Sequence, residues 1–380
     1  MTIAHTTRRS VRNRGFQLLI VAAATAAVWA CNRTNSDVTP HQQSDIALNP
    51  AIASQIDALM RNAVAQQHIA AVSVAVARRG SIIYAKGFGY RDLSKHLPAT
   101  PQTIYNIASN SKQFTAACVL LLQQDGKLNI DDTLSRYLPG FPAGDKITIR
   151  EVLNHTSGLT DYLDLIDNNT LTPAKVRAAV YRAKLKFRPG SKWEYSNTNY
   201  IVAGLVVEHA SGMPFDDFLR SRIIAPLGLH STTVGTSPLD LSGGAVGYTV
   251  NKGRQVVPVN PRADSAIVLD YPDGAINSTA LDIASWDDAL DSGRVISKDL
   301  LKVMFTPAPY KADWPGGYGL GVGLDTVAGH QEILHTGGWT GFVSENATIP
   351  DERFAVVMLS NTDTFERADL TRRIIALFYP

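Results

Sequence analysis

The chain has 380 residues, enough for one large domain or two smaller ones with a full core. It is 45% hydrophobic and 18% charged, and 36 Lys+Arg against 34 Asp+Glu leave a formal charge of only +2. With no basic excess, no Lys/Arg cluster beyond the N-terminus and no interleaved aromatics, nucleic acid is not an expected partner. The only cysteines, Cys31 and Cys118, cannot build a disulfide framework, and Cys118 reads as a small buried apolar residue.

The first segment, residues 1–31, has the order of a secretory signal peptide. Arg8, Arg9, Arg12 and Arg14 precede an uncharged, mostly apolar run from Phe16 to Ala30, too short for a comfortable membrane span. Val28-Trp29-Ala30-Cys31 resembles a bacterial lipobox and makes Cys31 a lipidation candidate, although Trp29 stands where a small residue is usual. Simple signal cleavage near that point is the alternative. No bulky apolar pair follows Arg8-Arg9, so the twin-arginine route has little support. Residues 32–48 hold too little apolar content to fold and read as a flexible tether. The expected location is periplasmic, with lipid on Cys31 as the membrane anchor under the lipobox reading.

Residues 49–380 form the expected folded part. Ile52, Ile56, Leu59, Met60 and Val64 recur at helical spacing between Pro50 and Gln67. Ala71–Ala77 and Ser81–Gly87, joined across Arg78-Arg79-Gly80, predict a β-hairpin. From about Gln113 to Met304 the pattern is mainly helical, broken by Gly/Pro/Asn-rich connections such as Asn154–Gly158 and Ser237–Gly247. Phe342–Ile349 and Phe354–Leu359 predict a second strand pair, and a helix from Phe365 to Phe378 closes the chain. The expected class is α/β (α+β): an antiparallel sheet drawn from both chain ends, flanked by helices, with a mainly helical region inserted. The sheet part would span about 49–112 and 305–380, the helical part about 113–304.

Chemistry concentrates in three short segments. Ser109 and Lys112 open a helix whose apolar positions are Phe114, Ala117, Cys118, Leu121 and Leu122, and three-residue spacing puts both side chains on one face. A serine hydroxyl is a poor nucleophile until a neighbour takes its proton. A lysine takes it only where burial or nearby positive charge favours its neutral form, and an apolar helix offers such a setting. Alone, Ser-x-x-Lys favours a helix cap followed by a solvated lysine over a nucleophile. Tyr195-Ser196-Asn197 adds a phenol that can relay a proton and an amide that can hold a substrate carbonyl. His335-Thr336-Gly337, running into Gly338 and Gly341, is a strand edge whose backbone N–H groups can approach an oxyanion.

These segments, in this order, resemble the family of class C β-lactamases, serine D-Ala-D-Ala carboxypeptidases and related esterases. Ile107-Ala108-Ser109, Leu153 through Leu159, Phe187 through Asn197 and Pro226-Leu227-Gly228-Leu229 extend the likeness over roughly residues 50–380. The resemblance implies a β-lactamase/transpeptidase-like fold with Ser109 as nucleophile, Lys112 as its partner and Tyr195 as proton shuttle. It further implies that Asn197, His335, Thr336 and Gly337 contact substrate, and that the backbone N–H groups of Ser109 and Gly338 form the oxyanion hole. Lys112 and Tyr195 are best treated as one coupled unit. His155, in Asn154-His155-Thr156-Ser157-Gly158, matches a structural turn. No metal or organic cofactor is implied: His330, Glu332 and His335 lack the helical metalloprotease spacing. The absence of G-x-S-x-G argues against an α/β-hydrolase.

His335 stands where class C β-lactamases carry a lysine that binds a substrate carboxylate, and a neutral imidazole pulls less on an anion. That favours an esterase or amidase, with a D-Ala-D-Ala carboxypeptidase or β-lactamase as the alternative and a non-catalytic binding lipoprotein as a third. The expected partner is a small-molecule ester, amide, D-amino-acid peptide or β-lactam.

Overall fold

The computed structural model describes residues 48–166, 172–259 and 272–380; the leader, Cys31 and the tether lie outside them. α1 (Pro50–Gln66) starts at Asn49, whose side chain accepts from the Ala51 N–H at 2.9 Å. Its buried stripe, Ile56, Met60 and Ala63, follows the predicted spacing. β1 (Ala71–Arg78) and β2 (Ser81–Asp92) form the predicted hairpin, and a short β3 (Leu97–Pro98) adds to its edge. Arg79 and Gly80 both have positive φ, 51° and 83°, the two-residue turn whose twist suits a hairpin.

The middle of the chain is richer in strand than its pattern predicted. It holds β4 (Tyr105–Asn106), α2 (Ser111–Gln124), α3 (Ile149–Leu153), α4 (Pro173–Val180), α5 (Asn197–Ser211), α6 (Phe215–Leu219) and α7 (Ala225–Leu227). β5 (Thr233–Val234), the β6–β7 hairpin (Tyr248–Val250, Val256–Pro258), β8 (Ile276–Ser278), α8 (Ala280–Asp291) and α9 (Lys298–Met304) follow. β4, β8 and β5 make a small sheet beside the start of α2. Strands of two or three residues are too short to show alternation, so they are silent in sequence.

The chain then returns through β9 (Gly323–Val327), β10 (His330–Trp339), β11 (Phe342–Ile349) and β12 (Phe354–Ser360), ending in α10 (Ala368–Ala376). The large sheet has seven strands in the order β3-β2-β1-β12-β11-β10-β9, with antiparallel neighbours throughout. Its centre joins the two chain ends: Val74 of β1 pairs with Met358 of β12. Side-chain alternation divides the core. Val72, Val74 and Val76 pack with Ile56, Met60 and Ile374 from α1 and α10, while Ala75 and Ala77 face Phe114 and Trp286 from α2 and α8. The sheet therefore lies between two helical layers.

α10 is shorter than its apolar pattern predicted. Its first turn begins after Arg367, whose side chain donates to the backbone carbonyls of Phe365, Gly337 and Ser344. Cys118 is fully buried in α2 with a free thiol.

Candidate active site

Ser109 sits on a single 3-10 turn, Ala108–Asn110, that leads straight into α2. Ala108 has φ 47°, a left-handed conformation that costs a non-glycine residue about 1–2 kcal/mol. Two contacts hold it there. Asn106 Oδ1 accepts from the Ala108 N–H at 2.9 Å, and Ser344 Oγ donates to the Ile107 carbonyl at 2.6 Å. β10 presses against the same backbone, and a Cβ on Gly337 would lie 2.2 Å from the Ile107 oxygen. Glycine at 337 is therefore required by the close approach of strand to turn.

Lys112 is fully buried one helical turn on. Its Nζ donates to Ser109 Oγ at 3.0 Å, Asn197 Oδ1 at 2.9 Å and the Asp273 carbonyl at 2.8 Å. It also lies 5.1 Å from the centre of the Tyr195 ring and 5.6 Å from that of Tyr200. Asn197 opens α5, and its amide is oriented from both ends: Asp161 Oδ2 accepts from its backbone N–H at 2.7 Å and from Nδ2 at 3.1 Å. Tyr195 leans on His155, with ring centres 4.3 Å apart. The Nδ1 of His155 accepts from the Ser196 N–H at 3.2 Å, and burial pushes its pKa well down, with Lys112 adding to the effect. This neutral imidazole supports the Tyr195 loop from below.

The third segment works differently. Nδ1 of His335 is 2.6 Å from the Thr336 carbonyl, which can only accept, so that nitrogen carries the proton. Nε2 then accepts from the Tyr318 hydroxyl at 3.0 Å. Burial, reinforced by Lys112, pushes the His335 pKa down to about 3, so the ring is neutral at pH 7. A cavity of ≈ 260 Å³ brings together Ser109, Tyr195, Asn197 and Gly338. His335, Thr336 and Gly337 do not line it: Thr336 faces a groove on the other side of β10, beside Arg367.

The β-lactamase family profile matches residues 56–379. The chain belongs to the β-lactamase family. It is 33% identical over 307 residues to penicillin-binding protein 4* of Bacillus subtilis, covering 77% of this chain and 68% of that protein. Among solved structures it is similar to the octameric penicillin-binding protein homologue from Pyrococcus abyssi. That likeness has a TM-score of 0.76 at 25% identity, over 86% of this chain and 77% of the other. It is also similar to D-amino acid amidase from Ochrobactrum anthropi SV3, solved with D-phenylalanine. Here the TM-score is 0.74 at 26% identity, covering 86% of this chain and 99% of that one.

This β-lactamase-related serine hydrolase has cavity walls that its motifs did not announce. Tyr162 and Asp273 line the cavity, and the Tyr162 hydroxyl donates to Asp273 Oδ2 at 3.3 Å. Burial pushes the Asp273 carboxyl up to about 6; Lys112 opposes the rise and Asp161 adds to it. Among the described residues lining the cavity there is no lysine, arginine or histidine. Asp161 and Asp273 were not legible as site residues, because a single aspartate in a Thr/Tyr or Pro/Gly loop is commonplace. The one signal for Asp161 is its place two residues past the Leu153–Leu159 stretch that carries the likeness.

Proposed function

We propose that the protein hydrolyses esters or amides through an acyl-enzyme on Ser109, and that its substrates carry no carboxylate beside the scissile bond. Two of the three hydrogen-bond partners of Lys112 Nζ, the Asn197 and Asp273 oxygens, can only accept. With two N–H groups held there, the nitrogen's remaining direction points at Ser109 Oγ, the line along which a proton is exchanged. Ser109 Oγ attacks the substrate carbonyl carbon and its proton passes to the Lys112–Tyr195 unit. The backbone N–H groups of Ser109 and Gly338 hold the resulting oxyanion. Collapse breaks the bond to the leaving oxygen or nitrogen, which takes the proton; water then attacks the ester, returns a proton to Ser109 and releases the acid.

The observation that carries the substrate reading is the neutral His335, together with a cavity whose only ionisable lining groups among the described residues are tyrosines and Asp273. A carboxylate-bearing β-lactam or peptide terminus would meet no lysine, arginine or histidine among the described lining residues. The amidase solved with D-phenylalanine supports amide hydrolysis, and the similarity to penicillin-binding protein 4* supports the alternative in which a β-lactam is recognised. A side-by-side panel separates these readings. A short p-nitrophenyl ester and a D-amino-acid amide should turn over, nitrocefin and a D-Ala-D-Ala peptide should not, and Ser109→Ala should abolish turnover and phosphonate labelling. Turnover of the carboxylate substrates alone overturns the reading. Stable labelling without turnover of any substrate supports a non-catalytic binding protein.

We also propose that the protein is exported, with Cys31 lipidated as its anchor. The mature protein's intact mass should begin at Cys31 and carry added acyl chains, and a free Cys31 thiol would defeat the lipid anchor.

A further inference from the structure

Arg367 precedes α10 on the side of β10 away from the cavity, and its side chain is only 17% exposed. Its Nε donates to the Ser344 carbonyl at 2.9 Å, and one terminal nitrogen donates to the Gly337 carbonyl at 3.1 Å. The other terminal nitrogen reaches the Phe365 carbonyl at 3.3 Å, while the Glu345 carboxyl is 3.7 Å from Nε. Gly337 and Ser344 are register partners across β10 and β11, so the guanidinium straps the two strands together at that pair.

The strapped carbonyl belongs to the same peptide group as the Gly338 N–H. A trans peptide is planar, with its C=O and N–H pointing in opposite directions. A cation bonded to the Gly337 oxygen therefore fixes the direction of the Gly338 N–H and draws electron density from it. Gly338 lies on the cavity wall with Ser109, whereas Arg367 lies in the opposite groove. The contact thus crosses the strand through one amide.

We propose that Arg367 is a positioning residue for the oxyanion hole, aiming and polarising the Gly337–Gly338 peptide so that the Gly338 N–H binds the developing oxyanion more strongly. The inference rests on the acyl-enzyme reading given above. One oxyanion donor is worth about 10²–10³ in kcat, and a neighbouring hydrogen bond strengthens another by about 10–30%. Losing that share predicts a rate loss of about 2- to 8-fold. Such a loss would appear only where negative charge sits on the substrate oxygen.

The test uses the full chain with Arg367→Gln and Arg367→Lys. On a p-nitrophenyl ester, Arg367→Gln should lower kcat by that factor with KM unchanged. Affinity for an aryl boronic acid, whose adduct with Ser109 carries a tetrahedral oxyanion, should fall by the same factor. The acyl-enzyme carbonyl stretch should move to higher frequency. Arg367→Lys keeps the charge without the planar fork and should recover part of each loss. If Arg367→Gln is unfolded, the comparison is read from Arg367→Lys against wild type. Unchanged kcat and boronate affinity overturn the proposal, as does a fall in kcat with boronate affinity intact. Turnover surviving in Ser109→Ala would instead overturn the acyl-enzyme reading itself.

Discussion

Lys112 and His335 are both basic, both buried and both beside the same cleft, yet their surroundings are opposite. Lys112 is met by two oxygens that only accept and by Ser109, with Asp161 hydrogen-bonded to one of its partners. His335 is met by one acceptor, the Thr336 carbonyl, and one donor, the Tyr318 hydroxyl, which is the complement of a neutral imidazole. Chemical type alone leaves both able to take up or release a proton. The partners differ accordingly: Lys112 Nζ is directed at Ser109 Oγ, while the His335 ring is held between one acceptor and one donor.

The most severe way to break this contrast is to remove the carboxyl on the Lys112 side. The Asp273 carboxyl is raised from 3.8 to about 6 in the fold, so folding opposes its ionisation. Its adverse contribution is absent below pH 3.8, grows through pH 6 and is complete above that. Asp273→Asn should therefore stabilise the protein at pH 8 by up to about 3 kcal/mol relative to its effect at acid pH. Thermal midpoints of both proteins between pH 4 and pH 8 read this directly, and parallel curves would show that the carboxyl is compensated. The smaller effect sharpens the other side. His335→Lys should raise affinity for a carboxylate-bearing β-lactam such as nitrocefin by about tenfold, the worth of one charge-assisted hydrogen bond. Unchanged binding would mean that the charge at 335 does not govern carboxylate recognition.

The long elements were legible because their periodicity is long. Eight- and twelve-residue strands and a 17-residue helix announce themselves, and the central pairing of both chain ends follows from where those runs fall. The β9–β10 hairpin is not among the predicted strand pairs. Its Asp325, Thr326, Gln331 and Glu332 interrupt any apolar run, as suits the edge of the sheet. Within the site, motifs led to Ser109, Tyr195, Asn197 and Gly338, all on the cavity wall. They did not separate residues whose side chains face the cavity from those that act through backbone. Gly337 is there because Ile107 leaves no room for a Cβ, and Thr336 points into the opposite groove. Asp273 and Arg367 lie far in sequence from Lys112 and Gly337, which they touch, and Asp161 lies far from Asn197, so only the place of Asp161 just past Gly158-Leu159 hinted at any of them.

The central pairing has a consequence for the order in which the chain can become a protein. Val72 in β1 is matched to Ser360 in β12, near the two ends of the sequence. Closing so large a loop costs entropy before any contact rewards it, and pairings of this kind are slow. During N-to-C synthesis β1 lacks its partner on that side until β12 has been made. A C-terminal truncation that removes β12 would leave the sheet without its middle rather than merely shortening an edge. β12 is thus the keystone of the sheet.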